Sequence, residues 1–443
     1  MEPVGIVVLI VFIGTYVIIS TEKVNRTGMS LLGLTIMGLV FWADSVINPP
    51  ANPEDVLGFV DLVAHIEWGT ILFVTAMMTI VAVAGSSGMF QYLALTLAKT
   101  SGGLHKNLYR TFIIFVFGMS LFFDTTSTML IIAPLTIQVC RALEIDFKPF
   151  LVSEAIVCNF SSIPSIVGAV PNLVIADVTG LNAGFLFLAF MPLAVILLLV
   201  SWPVLMWWYG KNFGEADKAR ADLLFLIDPT TMIRSRRDFY ASVAAFAILV
   251  LGFIVGPATG ISPSMVALMV AAALLVSAHD RAAEFLGEVG WGTVFFLVGL
   301  FGLVAGLELT GFIELLGDTV ESLVGDNAVT AILFMTWIPA ILSAFLDNLP
   351  VSAVLAPIAT GFPGVSDVVA MFIPLALVFA VNIGGYIFTP LGSPANMVAI
   401  GLSEKEGDHI SFSEFVKIGT ILGMIHLVIG TGWLLLFTTL LGG

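Results

Sequence analysis

Charge is scarce in this sequence. Lys, Arg, Asp and Glu together make up 11% of its 443 residues, while hydrophobic residues make up 59%. A water-soluble core of that size could not hide so much apolar surface, which excludes a soluble globular protein. Cysteine is nearly absent. Cys140 and Cys158 offer neither a disulfide framework nor a metal site and read as buried thiols. Basic residues are outnumbered, 16 against 31 acidic ones, and the net charge of −15 argues against nucleic acid as a partner. Short alternating strands are missing, which excludes a closed β-barrel. The first apolar run has no basic segment before it and no small-residue cleavage pattern after it, so it reads as a membrane span rather than a signal peptide.

What fills the chain instead is a series of long apolar runs, at 3–20, 68–84, 185–208, 239–255, 263–278, 291–307 and 418–437. In lipid each backbone polar group must be satisfied internally, so these runs are helices. The expected fold is an all-α polytopic membrane protein of the inner or plasma membrane, in contact with lipid.

All Lys and Arg residues can be placed on one side, in 21–28, 99–110, 141–148, 211–237, 279–281 and 404–417. The remaining connections, 48–67, 179–182, 256–262, 314–327 and 363–367, carry none. The excess of positive charge makes the first set cytoplasmic. Segment 107–140 has basic flanks at both ends, so it enters from the cytoplasm and returns there as a re-entrant hairpin with its tip near Asp124. Segment 328–361 has acidic or neutral flanks, so it enters from outside and turns near Asp347. About ten spans then remain, five per half, and both termini lie outside.

An internal repeat organises these spans. Trp68 matches Trp291, Thr70 matches Thr293, Gly88 matches Gly311, Asp124 matches Asp347, Pro134 matches Pro357 and Asn159 matches Asn382, all at an offset of 223. Gly168 then matches Gly392, and Asn172 matches Asn396, at 224. An odd number of spans per half makes the copies inverted. Residues 1–210 form the N-terminal repeat, 211–237 a cytoplasmic linker and 238–443 the C-terminal repeat. Inverted repeats with helices broken near the membrane midplane are the architecture of secondary transporters.

Four polar breaks interrupt the apolar pattern: Asp124, Thr125, Thr126 and Ser127; Asn159, Ser161, Ser162 and Ser165; Asp347, Asn348 and Ser352; and Asn382, Gly384, Gly385, Thr389, Ser393 and Asn396. Gly and Pro free backbone groups there, which is tolerated at membrane depth only against protein or a wet cavity. Freed carbonyls and side-chain oxygens suit a cation, and half-helix N-termini suit an anionic or polarised group. Asp124 and Asp347 stand out, because a carboxyl near mid-membrane is costly unless it is paired or functional. Low-dielectric surroundings favour a neutral carboxyl, which suits proton exchange. Capping a half-helix N-terminus is the alternative role, and the two can coexist.

Glu154, one turn before Asn159, either relays protons or faces a basic loop such as 141–148. Asp177 and Glu308 lie near outer membrane faces in solvated or capping positions, and His426 reads as a satisfied core residue. No Lys, Arg or His falls within the breaks. That disfavours a bare dicarboxylate unless sodium ions compensate, and it suits a metal cation, a proton or a neutral polar solute.

At these residues the chain resembles the ion transporter superfamily, and within it the arsenite-pump (ArsB), NhaD and P-protein group. Leu346-Asp347-Asn348-Leu349-Pro350 and Phe123-Asp124-Thr125-Thr126-Ser127-Thr128-Met129 are similar to that group's hairpin tips. The run from Asn396 to Glu404, with Ile410-Ser411-Phe412 and Phe415, is similar to the P-protein branch, whereas Phe388-Thr389-Pro390-Leu391-Gly392-Ser393 looks like the arsenite pumps. In the first half, Ser161 and Ser162 stand where the group has a glycine pair, and Ala169 stands where it has an aspartate. The resemblance implies a scaffold, a moving transport domain of the elevator type, and a homodimer.

The expected function is a secondary active, proton-coupled antiporter that exports a small inorganic solute. A neutral metalloid hydroxide, arsenite or antimonite, is favoured by the arsenite-like motif. Asp124 and Asp347 exchange protons, and the hydroxyls and amides of the breaks coordinate the solute. A sodium/proton or other cation/proton antiporter is the alternative, and a sodium-coupled carboxylate transporter is the next. No cofactor is expected beyond H+ or Na+ as coupling ion. An intramembrane aspartyl protease is a remote alternative, because the contexts Phe-Phe-Asp and Phe-Leu-Asp on hairpins do not match such enzymes. The expectation is therefore a carrier and not an enzyme.

Overall fold

The computed structural model describes residues 3–20, 23–49, 56–102, 104–213, 228–325, 327–360 and 370–441. Most of the linker expected at 211–237 lies outside the described residues, as do the connection 363–367, parts of 21–28 and 48–67, and the last residue of hairpin 328–361. Every regular element among the described residues is helical.

The first half holds α1 (Pro3–Ser20), α2 (Arg26–Ile47), α3 (Phe59–Ala64), α4 (Trp68–Ser86), α5 (Met89–Thr100), α6 (His105–Met119), α7 (Thr125–Ala142), α8 (Lys148–Ser161), α9 (Val170–Thr179) and α10 (Ala183–Tyr209). The second half repeats that series as α11 (Arg236–Thr259), α12 (Pro263–Ala278), α13 (Ala282–Gly287), α14 (Trp291–Leu309), α15 (Phe312–Val324), α16 (Ala328–Phe345), α17 (Asn348–Ala359), α18 (Phe372–Gly384), α19 (Pro394–Lys405) and α20 (Phe412–Leu441).

Among the described residues, 7 helices are long and apolar enough to cross a membrane. One of them is α16, a limb of the second hairpin, so length alone does not separate a span from a hairpin limb. Its partner α17 has only 12 residues, about 18 Å of helix. The other six are α2, α4, α10, α11, α14 and α20. With the shorter α1 and α12, and the broken helices α8/α9 and α18/α19, they give five crossings per half.

The two copies are inverted and cross-packed. Helix α2 packs on α14, and its counterpart α12 packs on α4. The hairpin limb α7 packs on α19, and its counterpart α17 packs on α9. Local geometry repeats as well. The indole N–H of Trp68 donates to the carbonyl of Val63 at 3.1 Å, and that of Trp291 to the carbonyl of Leu286 at 3.0 Å. Pro134 and Pro357 sit inside α7 and α17 at matching positions, where each removes one helix hydrogen bond.

Helices α8 and α18 form the middle of the molecule. Each residue of α18, and each residue of α8 from Pro149 onward, is buried. Leu188, Leu199, Leu251, Ile254 and Val276 instead face outward from α10, α11 and α12, which suits contact with lipid tails. Arg141 pairs with Glu406 at 2.6 Å and Lys148 with Asp408 at 3.6 Å, so the basic loop 141–148 and the end of α19 share one face.

Candidate functional site

The four polar breaks come together in pairs. Each hairpin tip lies against the broken helix of its own half. A Cβ on Gly168 would fall 2.3 Å from the carbonyl oxygen of Ser120, and a Cβ on Gly392 would fall 2.3 Å from that of Ser343. Only glycine permits this approach at either place. The Thr389 hydroxyl adds a 2.5 Å bond to the carbonyl of Ala344, just before the second tip. The Cys158 thiol donates to the carbonyl of Thr125 at 3.3 Å, at the first tip.

The breaks also join across the halves, through four buried asparagines. Asn159 Nδ2 donates to Asn396 Oδ1 at 3.1 Å, and Asn382 Nδ2 donates to Asn172 Oδ1 at 2.6 Å. These two bonds are images of each other under the repeat. Their supports match too. Asn159 and Asn382 each donate to the carbonyl one turn back, Ala155 and Val378, at 2.7 Å. Asn172 holds the carbonyls of Ser162 and Ser165, and Asn396 those of Gly385 and Pro390. The freed ends of the broken helices are thus tied by side-chain amides, each bond contributing about 0.5–1.5 kcal/mol.

The symmetry fails at one place. Ser162 Oγ donates to Asn382 Oδ1 at 3.0 Å, but the matching residue is Gly385, which has no hydroxyl to offer Asn159. Asn159 Oδ1 is consequently buried without a partner among the described residues, as is Ser393 Oγ.

Asp124 caps α7, accepting the N–H groups of Thr126 and Ser127, both at 3.0 Å. Asp347 caps α17 and accepts Leu349 N–H at 3.1 Å. Both carboxyls therefore take the capping role, the alternative to proton exchange in the sequence reading. The rest of the expected set divides. Ser161 turns back to its own helix at Cys158 O, Ser165 accepts the N–H groups of Val167 and Gly168, and Ser352 donates to Asn348 O. Gly384 lies against Ser343 and the carbonyl of Ala340. None of these four reaches across the halves.

Two cavities reach the tips. The first, about 530 Å³, is lined by Tyr16, Arg26 and Phe296 on one wall and by Asp347, Pro394 and Lys405 on the other. The Arg26 guanidinium carbon stands 5.4 Å from the centre of the Phe296 ring, and Arg26 interacts electrostatically with Asp347. The second, about 450 Å³, is lined by Gln91, Glu288, Thr126, Ser127 and Gln138, among others. Thr126 and Leu130 line both.

Sequence reasoning missed Arg26, Lys405, Tyr16 and the full part played by Asn172. The basic pair was read only as loop charge, and Asn172 only as part of the repeat. The pairing of Asn172 with Asn396 at an offset of 224 was the one signal that could have raised it. His426 is satisfied as foreseen, meeting Tyr386 Oη at 2.6 Å and Ser201 Oγ at 2.9 Å. Asp177 is exposed and accepts the Thr70 hydroxyl at 2.9 Å.

The chain is similar to known proteins. The structure of the YdaH transporter of Alcanivorax borkumensis matches with a TM-score of 0.54 at 13% identity, over 95% of this chain and 98% of that one, a likeness of fold. An uncharacterized transporter of Mycobacterium bovis is 30% identical over 97% of this chain and 98% of its own length. The P protein of Mus musculus is 24% identical over 97% of this chain and 60% of its own length. Residues 16–376 match the model of a family described as citrate transporter. The chain is a membrane transporter of the ion transporter superfamily, not an enzyme, and it belongs to the citrate transporter (CitMHS) family.

Proposed function

We propose that this chain is a proton-coupled secondary carrier of a small carboxylate anion of the citrate class. The observation that carries the reading is the 530 Å³ cavity in which Arg26 and Lys405 flank the approach to Asp347. Fixed cations there answer the objection that a carboxylate would meet only aspartates. Arginine suits a carboxylate through paired N–H donors, and lysine adds a compact charge. From the cavity the anion reaches the hairpin tips and the four-asparagine junction. The N-termini of α7 and α17 and the hydroxyls of Thr125, Thr126, Ser127 and Thr389 offer further donors near it. Protons carried on Asp124 and Asp347 offset the charge of the anion as it crosses.

Arg26 lies on α2 and Lys405 on α19, so the cavity lies between the outer helices of the two repeats and the hairpin-bearing body. That placement supports an elevator motion, in which the hairpins and broken helices move against α1–α5 and α11–α15. Both termini outside, sodium as an alternative coupling ion and a homodimer complete the proposal.

A second reading has its own support. The asparagine junction is uncharged, which suits an undissociated metalloid hydroxide exported in exchange for protons. Proteoliposomes holding the purified chain distinguish the two. Radiolabelled citrate taken up faster under an imposed pH gradient, and not displaced by arsenite, supports the first. Gradient collapse on adding arsenite, with no citrate uptake, supports the second. Collapse on adding sodium alone makes the chain a sodium/proton exchanger and overturns both.

A further inference from the structure

Glu154 is wholly buried in α8. Its Oε1 accepts the Thr136 hydroxyl of α7 at 2.7 Å, and its Oε2 has no partner among the described residues. No Lys, Arg or His forms an ion pair with it among those residues, so the basic loop 141–148 does not supply its counter-charge. An ionised carboxylate buried without a cation is costly by several kcal/mol, whereas the acid form is a modest burden.

The repeat shows that the fold does not need this group. At the matching positions in the second half stand Leu377 and Ala359, both buried, and α18 packs there on α17 much as α8 packs on α7. The same architecture is thus built once with a carboxyl and a hydroxyl at this contact, and once without either. The carboxyl is also well placed. Cys158 lies four residues further along α8, on the same face, and its thiol reaches the Thr125 carbonyl beside Asp124. The groups that face Glu154 are Tyr109 from α6, Thr136 and Cys140 from α7, and Cys158 from its own helix. Helices α10, α18 and α19 also pack on α8 and present no charged group to it among the described residues.

We infer that Glu154 is a third proton-carrying carboxyl of this carrier, confined to the first half and separate from the hairpin tips. Its carboxylate takes a proton from water on one side of the membrane and becomes the neutral acid. The acid returns that proton to water on the other side and becomes the carboxylate again, with no other bond made or broken. This role rests on the proton-coupled reading of the transport site.

Two readouts test it. Infrared difference spectra of the reconstituted chain, titrated from acid to alkaline without any substrate, contain a carboxyl C=O band that vanishes with pH and is missing in Glu154→Gln. Citrate uptake by Glu154→Gln loses its stimulation by a pH gradient, while citrate exchange at equal pH is kept. Glu154→Leu, which copies the second half, behaves the same way and guards against a folding defect specific to the glutamine. An unchanged infrared spectrum in Glu154→Gln, or full pH-gradient stimulation in both variants, overturns the inference. If the wild type moves no citrate at all, the proposed substrate fails, and the infrared result alone decides the fate of Glu154.

Discussion

The two halves of this transporter solve the same problem with nearly the same parts, and their few differences separate framework from chemistry. Both halves keep a tryptophan anchor, a proline in the inner hairpin limb, an aspartate cap at the tip, and a glycine pressed against the hairpin's backbone. Both send an asparagine from the broken helix to an asparagine of the other half. What occurs twice holds the breaks open and in register. What occurs once is of another kind: Glu154 opposite Leu377, Ser162 opposite Gly385, Ser393 opposite Ala169, and the basic pair Arg26 and Lys405 in the cavity that holds Asp347. An inverted repeat made of identical halves would treat both membrane faces alike. Through Glu154, Arg26 and Lys405, the single-copy residues make the two halves differ in ionisable groups.

Breaking the shared parts produces the largest effects. Gly168→Ala and Gly392→Ala each drive a Cβ into a carbonyl oxygen at 2.3 Å. Each should cost about 1–3 kcal/mol or more by overpacking. Thermal unfolding in detergent then shows large and similar drops in Tm, and a drop in one variant only would mean that the halves are not equivalent there.

Next comes the asparagine junction. Asn382→Ala removes bonds to Asn172, Val378 and Ser162, whereas Asn159→Ala removes bonds to Asn396 and Ala155 only. The former should destabilise by about 1 kcal/mol more, the worth of one additional hydrogen bond. Equal losses would show that the Ser162 contact contributes nothing.

A single-copy residue should affect binding rather than folding. Arg26→Gln removes a cation from the cavity wall, and KM for citrate should rise about tenfold, the equivalent of ~1.4 kcal/mol, with kcat and Tm little changed. An unchanged KM would remove Arg26 from the anion's path. The smallest effect falls on the anchors. Trp68→Phe and Trp291→Phe each lose one exposed N–H···O bond, and both should shift stability by at most about 0.5–1.5 kcal/mol and by equal amounts.

Much of this was legible in the sequence because a repeat leaves a constant offset. The offsets of 223 and 224 located both tips, both breaks and the asparagines that meet across the halves. Capping by Asp124 and Asp347 was legible only as the alternative to proton exchange, because a short acceptor before a half-helix suits both roles. The cavity was not legible. Arg26 and Lys405 come from opposite ends of the chain and come together only as lining of the cavity that holds Asp347. Read one by one, they are ordinary loop charges at the basic face. The missing hydroxyl at Gly385 was equally hidden, because an orphaned amide oxygen on Asn159 becomes visible only when its partner in the other half is known. Helix length alone counts α16 as a span, whereas the charge of its flanks assigns it to a hairpin. Helix α16 has the 18 residues of a span, yet pairs with a 12-residue limb.

The central claim of the proposal is that the anion, entering past Arg26 and Lys405, reaches the asparagine junction, to which both halves contribute. Isothermal titration of citrate into the purified chain tests it most directly, with wild type, Asn159→Ala and Asn382→Ala compared side by side. The account predicts that wild type binds and that each substitution weakens binding about tenfold or more, one from each half. Binding lost in one variant and untouched in the other, or kept at wild-type strength in both, would contradict it.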